Sequence, residues 1–305
     1  MSKFNYGGQA VIEGVMMRGR YAAAVAVRKQ DETISVLHQE LKPWSDRFPI
    51  LKKPVIRGAV ALVETMIMGI KSLNYSAVEY GGEEEQLTTK ELVVTMGLAL
   101  LLTVALFVVL PAFLLRFVQS HISSNILLNL VEGLIKVSFF VLYIAGITLL
   151  KDIQRVFAYH GAEHKTINCY EAGQELTVEN VARHSRVHAR CGTNFLLIVL
   201  FTSVFVFSFF GRPPFVQRIL IHLAIMPLVA GLSYELIRKA GQEDCHPIFR
   251  WLAKPGMLLQ ALTTKEPDAS QIEVAISALQ AVLARDAAHP EGKKVVPFPN
   301  SETTA

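Results

Sequence analysis

Charge is scarce in this chain. Asp, Glu, Lys and Arg make up only 18% of its 305 residues, against roughly 25% in a typical soluble domain. The deficit is local, because long uncharged runs alternate with polar segments of ordinary composition. That pattern excludes a uniformly apolar soluble core and points to membrane spans. Cysteine is scarce too. Cys169, Cys191 and Cys245 are the three present, an odd and sparse set that makes a poor disulfide framework. A reducing compartment, or metal ligation by one of them, fits better. The net charge of +4 is small for the length, which speaks against a nucleic-acid partner. Between Met1 and Gly19 no apolar run precedes a small-residue cleavage site, so no secretory signal peptide is expected.

Four apolar runs are present instead. Leu92–Leu115 is 24 residues without a charge, about 36 Å as a helix and longer than the roughly 30 Å hydrocarbon core. Ile126–Leu150 is a second run, with Glu132 and Lys136 spaced to pair on one helix face. Phe195–Phe210 is short at 16 residues and becomes long enough if its helix begins near Cys191. Ile219–Ile237 is the fourth and carries His222, Pro227 and Glu235. Four spans put both termini and the loop between spans two and three on one side. Lys151, Arg155, Lys165, Arg183, Arg186 and Arg190 crowd that loop, so the positive-inside rule places termini and loop in the cytoplasm.

The expected fold class is therefore mainly α: a polytopic helical membrane protein with about four spans. A small N-terminal β-hairpin region and a C-terminal amphipathic helix complete it. Ala22–Arg28 and Thr33–Leu41 alternate imperfectly and read as the hairpin. Pro54–Leu73 is apolar but contains Arg57, Glu64 and Lys71, as an interfacial or buried helix does. Ser270–Asp286 sets Ile272, Ile276, Leu279 and Leu283 on one stripe. The expected organisation is an N-terminal region (1–90), a membrane domain (91–240) with a His-rich loop (151–194), a C-terminal region (241–287) and a disordered tail (288–305).

The His-rich loop carries the chemistry. His160-Gly161-Ala162-Glu163-His164 is H-x-x-E-H, the reverse of the H-E-x-x-H zinc-protease order. On a helix, His160 and His164 lie one turn apart and can share a metal, with Glu163 close enough to act as general base. A third ligand is required, and Glu171, Glu175 and Glu179 follow within range. His184 and His188 repeat the four-residue spacing, and Cys191 comes one turn later. Two arrangements are open. In one, His160, His164 and a glutamate such as Glu171 hold a catalytic ion. In the other, both histidine pairs, with or without Cys191, form a closed or two-metal site, which would be structural.

Other ionisable residues have plainer readings. The Gly7–Gly19 stretch suggests tight turns, with Glu13 and Arg18 as candidates for a metal or an anionic substrate. Arg183, Arg186 and Arg190 would share one helix side and could face phosphate or lipid headgroups. Cys245-His246 reads as a turn.

Long motifs carry a resemblance. Gly7-Gly8-Gln9-Ala10-Val11-Ile12-Glu13-Gly14-Val15-Met16-Met17-Arg18-Gly19, Tyr159-His160-Gly161-Ala162-Glu163-His164-Lys165-Thr166, Arg186-Val187-His188-Ala189-Arg190-Cys191-Gly192-Thr193 and Leu262-Thr263-Thr264-Lys265-Glu266-Pro267 resemble the YqhQ-like family of bacterial membrane proteins. The likeness runs from about residue 5 to 285. That family's label is a domain of unknown function with an inferred metal-dependent activity, so the resemblance implies metal chemistry and a bacterial inner membrane and names no reaction. The expected function is a metal-dependent membrane hydrolase acting on a peptide or lipid-derived substrate at the cytoplasmic face, with Glu163 catalytic and a divalent metal, zinc by its ligand types, as cofactor. The alternative is a non-enzymatic scaffold or regulator with a structural metal. Membrane lipids are expected partners, with a docked protein or a second copy of the chain beside them.

Overall fold

In a computed structural model the chain is described over residues 6–82, 84, 88–211, 213–240 and 246–289. Cys245, residues 83 and 85–87 and the tail from 290 onward lie outside those residues. Four strands come first: β1 (Gly7–Val11), β2 (Gly14–Arg18), β3 (Ala22–Arg28) and β4 (Ile34–Glu40). Among the described residues nine helices follow, leaving aside single turns: α1 (Ile56–Gly81), α2 (Lys90–Val118), α3 (Asn125–Ile147), α4 (Lys151–Glu171), α5 (Val178–Ala182), α6 (Gly192–Phe210), α7 (Phe215–Ala240), α8 (Pro247–Thr263) and α9 (Ala269–Ala288).

The strands form one antiparallel meander in the order β1-β2-β3-β4. The expected hairpin is β3–β4, with Ala22 opposite Glu40 and Arg28 opposite Ile34. The Gly-rich stretch is a second hairpin rather than a series of turns, with Gly7 opposite Arg18 and Val11 opposite Gly14. Its glycines serve close packing. A β-carbon at Gly14 would run into the Ala26 carbonyl oxygen, and one at Gly8 into the Met16 carbonyl oxygen.

Both faces of the sheet are buried. Val15, Met17, Ala24 and Ala26 point to one side, where α9 and α4 cover them through Ile272, Ala275, Leu279, Val282, Tyr159 and Ala162. Val11, Met16, Ala23, Val25 and Val27 point to the other, where α1 covers them through Met68 and Tyr75. A strand covered on both faces is apolar throughout, so β3 shows no polar alternation. The N-terminal strands, the histidine-bearing α4 and the C-terminal α9 thus make one layered module. Asp286 fastens it: its carboxylate accepts from the backbone N–H of Arg20 (2.8 Å), Tyr21 (2.9 Å) and Ala22 (3.2 Å).

Helices α2, α3, α6 and α7 are each long and apolar enough to cross a membrane. The short third run does extend: α6 starts at Gly192, with Cys191 as its N-cap. A π-helical turn over Ala105–Val109 precedes Pro111 in α2, absorbing the hydrogen bond that proline removes. The sheet module meets these helices through α1. Arg57 forms a two-pronged ion pair with Glu235 of α7 (2.6 and 2.5 Å), and Gly58 lies under the Tyr234 ring. Helix α8 packs along α6, where Gly256 leaves room for Asn194, and Leu259 joins Phe140 and Ile144 of α3 in a small cluster.

Candidate metal centre

Helix α4 carries His160 and His164 on one face, their rings in edge contact with centroids 4.4 Å apart. The helix approaches the chain after α8 closely. A β-carbon at Gly161 would overlap the Lys265 carbonyl oxygen, and the Lys265 N–H donates to the Phe157 carbonyl at 2.8 Å. That approach brings one backbone carbonyl to the rings, and the segment at 183–191 brings another. His160 Nδ1 lies 2.8 Å from the Thr263 oxygen and His164 Nδ1 lies 2.7 Å from the Arg186 oxygen. A carbonyl can only accept, so each Nδ1 carries the proton and each Nε2 keeps its lone pair.

Cys191 completes the group. Its Sγ lies 3.2 Å from His160 Nε2 and 3.2 Å from Thr193 Oγ1. One ligand atom from each of His160, His164 and Cys191 falls within 4.8 Å of the others. Nitrogen and sulfur donors on one tetrahedral zinc stand about 3.6 Å apart, from bond lengths of about 2.1 and 2.3 Å. The donor set therefore fits a zinc-type ion. His164 and Cys191 are buried, and burial lowers the His164 pKa, favouring the neutral ring that a metal needs. Among the described residues no fourth His, Cys, Asp or Glu joins the group.

The remaining expected ligands stand around this group. The His188 backbone is clamped by Gln260, which accepts from its N–H and donates to its carbonyl, both at 2.8 Å. Its ring lies 5.7 Å from that of His164, with Nε2 facing Glu171 at 3.5 Å and Nδ1 accepting from the Arg190 N–H at 3.4 Å. Glu171 is ion-paired with Arg190. Burial raises its pKa, but the hydrogen bond to His188 and the charge of Arg190 outweigh that and lower it overall. His184 Nε2 meets Gln174 at 2.9 Å, away from the group. The reading of His184 and His188 as a helical pair is corrected, because residues 183–191 are not helical. The arginines consequently have separate partners: Arg183 pairs with Glu179, and Arg186 donates to the Thr264 carbonyl at 2.6 Å.

Glu163 sits on the flank of α4 that faces β1. Its side chain lies against Gly8 and accepts that residue's N–H. It is 4% exposed and forms no ion pair among the described residues, and burial pushes its pKa up to about 7, with the nearby His160 and the Gly8 N–H pulling against the rise. Glu13 has a different role from the one weighed for it. It occupies the β1–β2 turn at φ 49°, a left-handed conformation uncommon outside glycine. Its carboxylate is gripped by Arg155 and accepts from the Tyr159 hydroxyl at 3.2 Å, latching the hairpin to α4. Arg18 donates to Thr65, and His246 caps α8. The motif holding Thr263 and Thr264 gives no hint of their positioning roles, because a backbone carbonyl acceptor leaves no mark in residue type; Gln260, whose side chain clamps His188, lies outside every motif.

The family model described as "Protein of unknown function (DUF1385)" matches residues 53–285. The chain is also 36% identical over 304 residues to "Uncharacterized protein YqhQ" of Bacillus subtilis (strain 168), covering 95% of each chain. The chain belongs to this YqhQ-like family. No solved structure matches it.

Proposed function

We propose that this family member is a metal-dependent membrane hydrolase whose ion, zinc by donor type, is held by His160, His164 and Cys191. The observation that carries the reading is the pair of fixed tautomers, which turns two imidazole lone pairs toward one thiol. Three protein ligands leave a coordination position open, the pattern of catalytic rather than structural zinc. Bound there, the ion would supply Lewis acidity. Glu163, buried beside His160 with a pKa near neutrality, is the proton carrier. The centre lies where α4 and the N-terminus of α6 meet, at one end of the spans, so a substrate reached from the membrane surface, peptide or lipid-derived, suits it. We place that end, and both termini, in the cytoplasm of a bacterial inner-membrane protein, on the charge asymmetry of the loops.

Complementation of a deletion strain tests the reading. Glu163→Gln should abolish function while the purified protein keeps its metal; full function in that variant would remove Glu163 from catalysis. A second reading rests on burial. His164 is 1% and Cys191 7% exposed, and an ion there would tie together α4, the 183–191 segment and α6. If chelation unfolds the protein, the ion is a structural staple and the protein a scaffold.

A further inference from the structure

The far end of the spans holds a second polar cluster, unrelated to the metal centre. Helix α6 runs from its N-cap Cys191 to Phe210, so the two sites are separated by about 28 Å of helix. At this end Glu132 of α3 accepts from Lys136 (2.8 Å), from Arg218 of α7 (2.6 Å) and faces His222 Nε2 (2.9 Å). The expected Glu132–Lys136 pair is thus half of a larger group. His222 Nδ1 lies 2.7 Å from the Arg218 carbonyl oxygen, and the ring stacks on Phe207. Glu132, Lys136, Arg218 and His222 are all less than 9% exposed.

Two features point to a missing negative charge. Lys136 and Arg218 face one carboxylate, so the group carries excess positive charge before His222 is counted. Buried uncompensated charge is strongly destabilising. In addition, Asn129 Nδ2, one turn before Glu132 on α3, is buried and has no hydrogen-bond partner, although buried donors are almost always paired. Asn129, Glu132, Arg218 and His222 line one cleft, closed by Phe207, Phe210 and Pro213. The enclosed part of the cleft is about the size of one water, which suits a monatomic anion better than a polyatomic one.

We propose that this cleft binds a single halide ion, chloride under ordinary conditions, with Asn129 Nδ2 and the Arg218 guanidinium as donors. The anion completes the charge balance of the span bundle, and Glu132 competes with it for Arg218. The test is thermal melting of the full chain in detergent at fixed ionic strength, exchanging sodium gluconate for sodium chloride or bromide. The melting temperature should rise saturably with either halide and not with gluconate. Asn129→Leu, which removes the orphan donor, should weaken halide affinity roughly tenfold, as one lost hydrogen bond does. Glu132→Gln should strengthen it. Bromide-soaked crystals should show an anomalous peak beside Asn129 and Arg218. Equal melting in chloride and gluconate, or an Asn129→Leu variant with undiminished halide dependence, would overturn the assignment and leave water as the occupant. Neither outcome depends on the metal centre, whose ligands are untouched.

Discussion

His160 Nε2 lies 3.2 Å from Cys191 Sγ although 31 residues separate them in sequence. One residue is on a helix of the sheet module and the other caps a span, so the contact joins the two halves of the molecule.

Metal content follows that contact. Protein purified without chelator should carry about one zinc per chain, and His164→Ala or Cys191→Ser should lose most of it. His184→Ala should keep it, because His184 faces Gln174. Elemental analysis of the three variants decides; zinc retained in Cys191→Ser would return the third ligand to a histidine or carboxylate.

The pH dependence of Glu163 gives a second check. Its carboxyl titrates near 7 when folded, against 4.5 as the ordinary value. A raised folded pKa contributes stability that is full below about pH 4.5 and is lost as pH climbs through 7. In metal-free protein, wild type should therefore lose stability relative to Glu163→Gln across that window, by roughly 3 kcal/mol. Melting curves at several pH values measure it, and a constant gap between the two proteins would contradict it.

Gly161→Ala should loosen the centre without touching a ligand. The added methyl meets the Lys265 carbonyl, and relieving it moves the strand of chain whose Thr263 oxygen orients His160. Overpacking of this kind costs about 1–3 kcal/mol. A lower melting temperature accompanied by weaker zinc binding is expected; an unchanged zinc affinity would show that the carbonyl is not needed.

Asp286→Ala should destabilise the sheet module by about 3 kcal/mol, since it strands three backbone N–H groups in the β2–β3 turn. Limited proteolysis should then cut between Arg18 and Ala22 faster than in wild type. Equal cutting rates would mean the turn holds without its acceptor.

Much of this was legible from residue order. Leu92–Leu115 announces a span by length alone, and His160 with His164 announce a shared face by their spacing, because both signals are local. The β1–β2 hairpin was hidden by its glycines, which serve packing against Ala26 and Met16 rather than turning. His184 and His188 have helical spacing in a segment that is not helical, so the spacing promised a pair that the backbone never forms. The approach of Cys191 to His160 depends on tertiary contact, which residue order does not encode locally. The same holds for Glu132, whose partners Arg218 and His222 lie 86 and 90 residues away.

Two of the three proposed metal donors ride on α4 and the third, Cys191, is the N-cap of α6. In a bilayer a spanning helix changes tilt when the hydrocarbon thickness changes, whereas a helix clamped between a sheet and α9 does not. Metal bonds tolerate displacements of only about 0.2 Å. With an ion bound as proposed, a tilt of α6 would move the sulfur against two fixed imidazoles, so lipid chain length would enter the ion's dissociation constant.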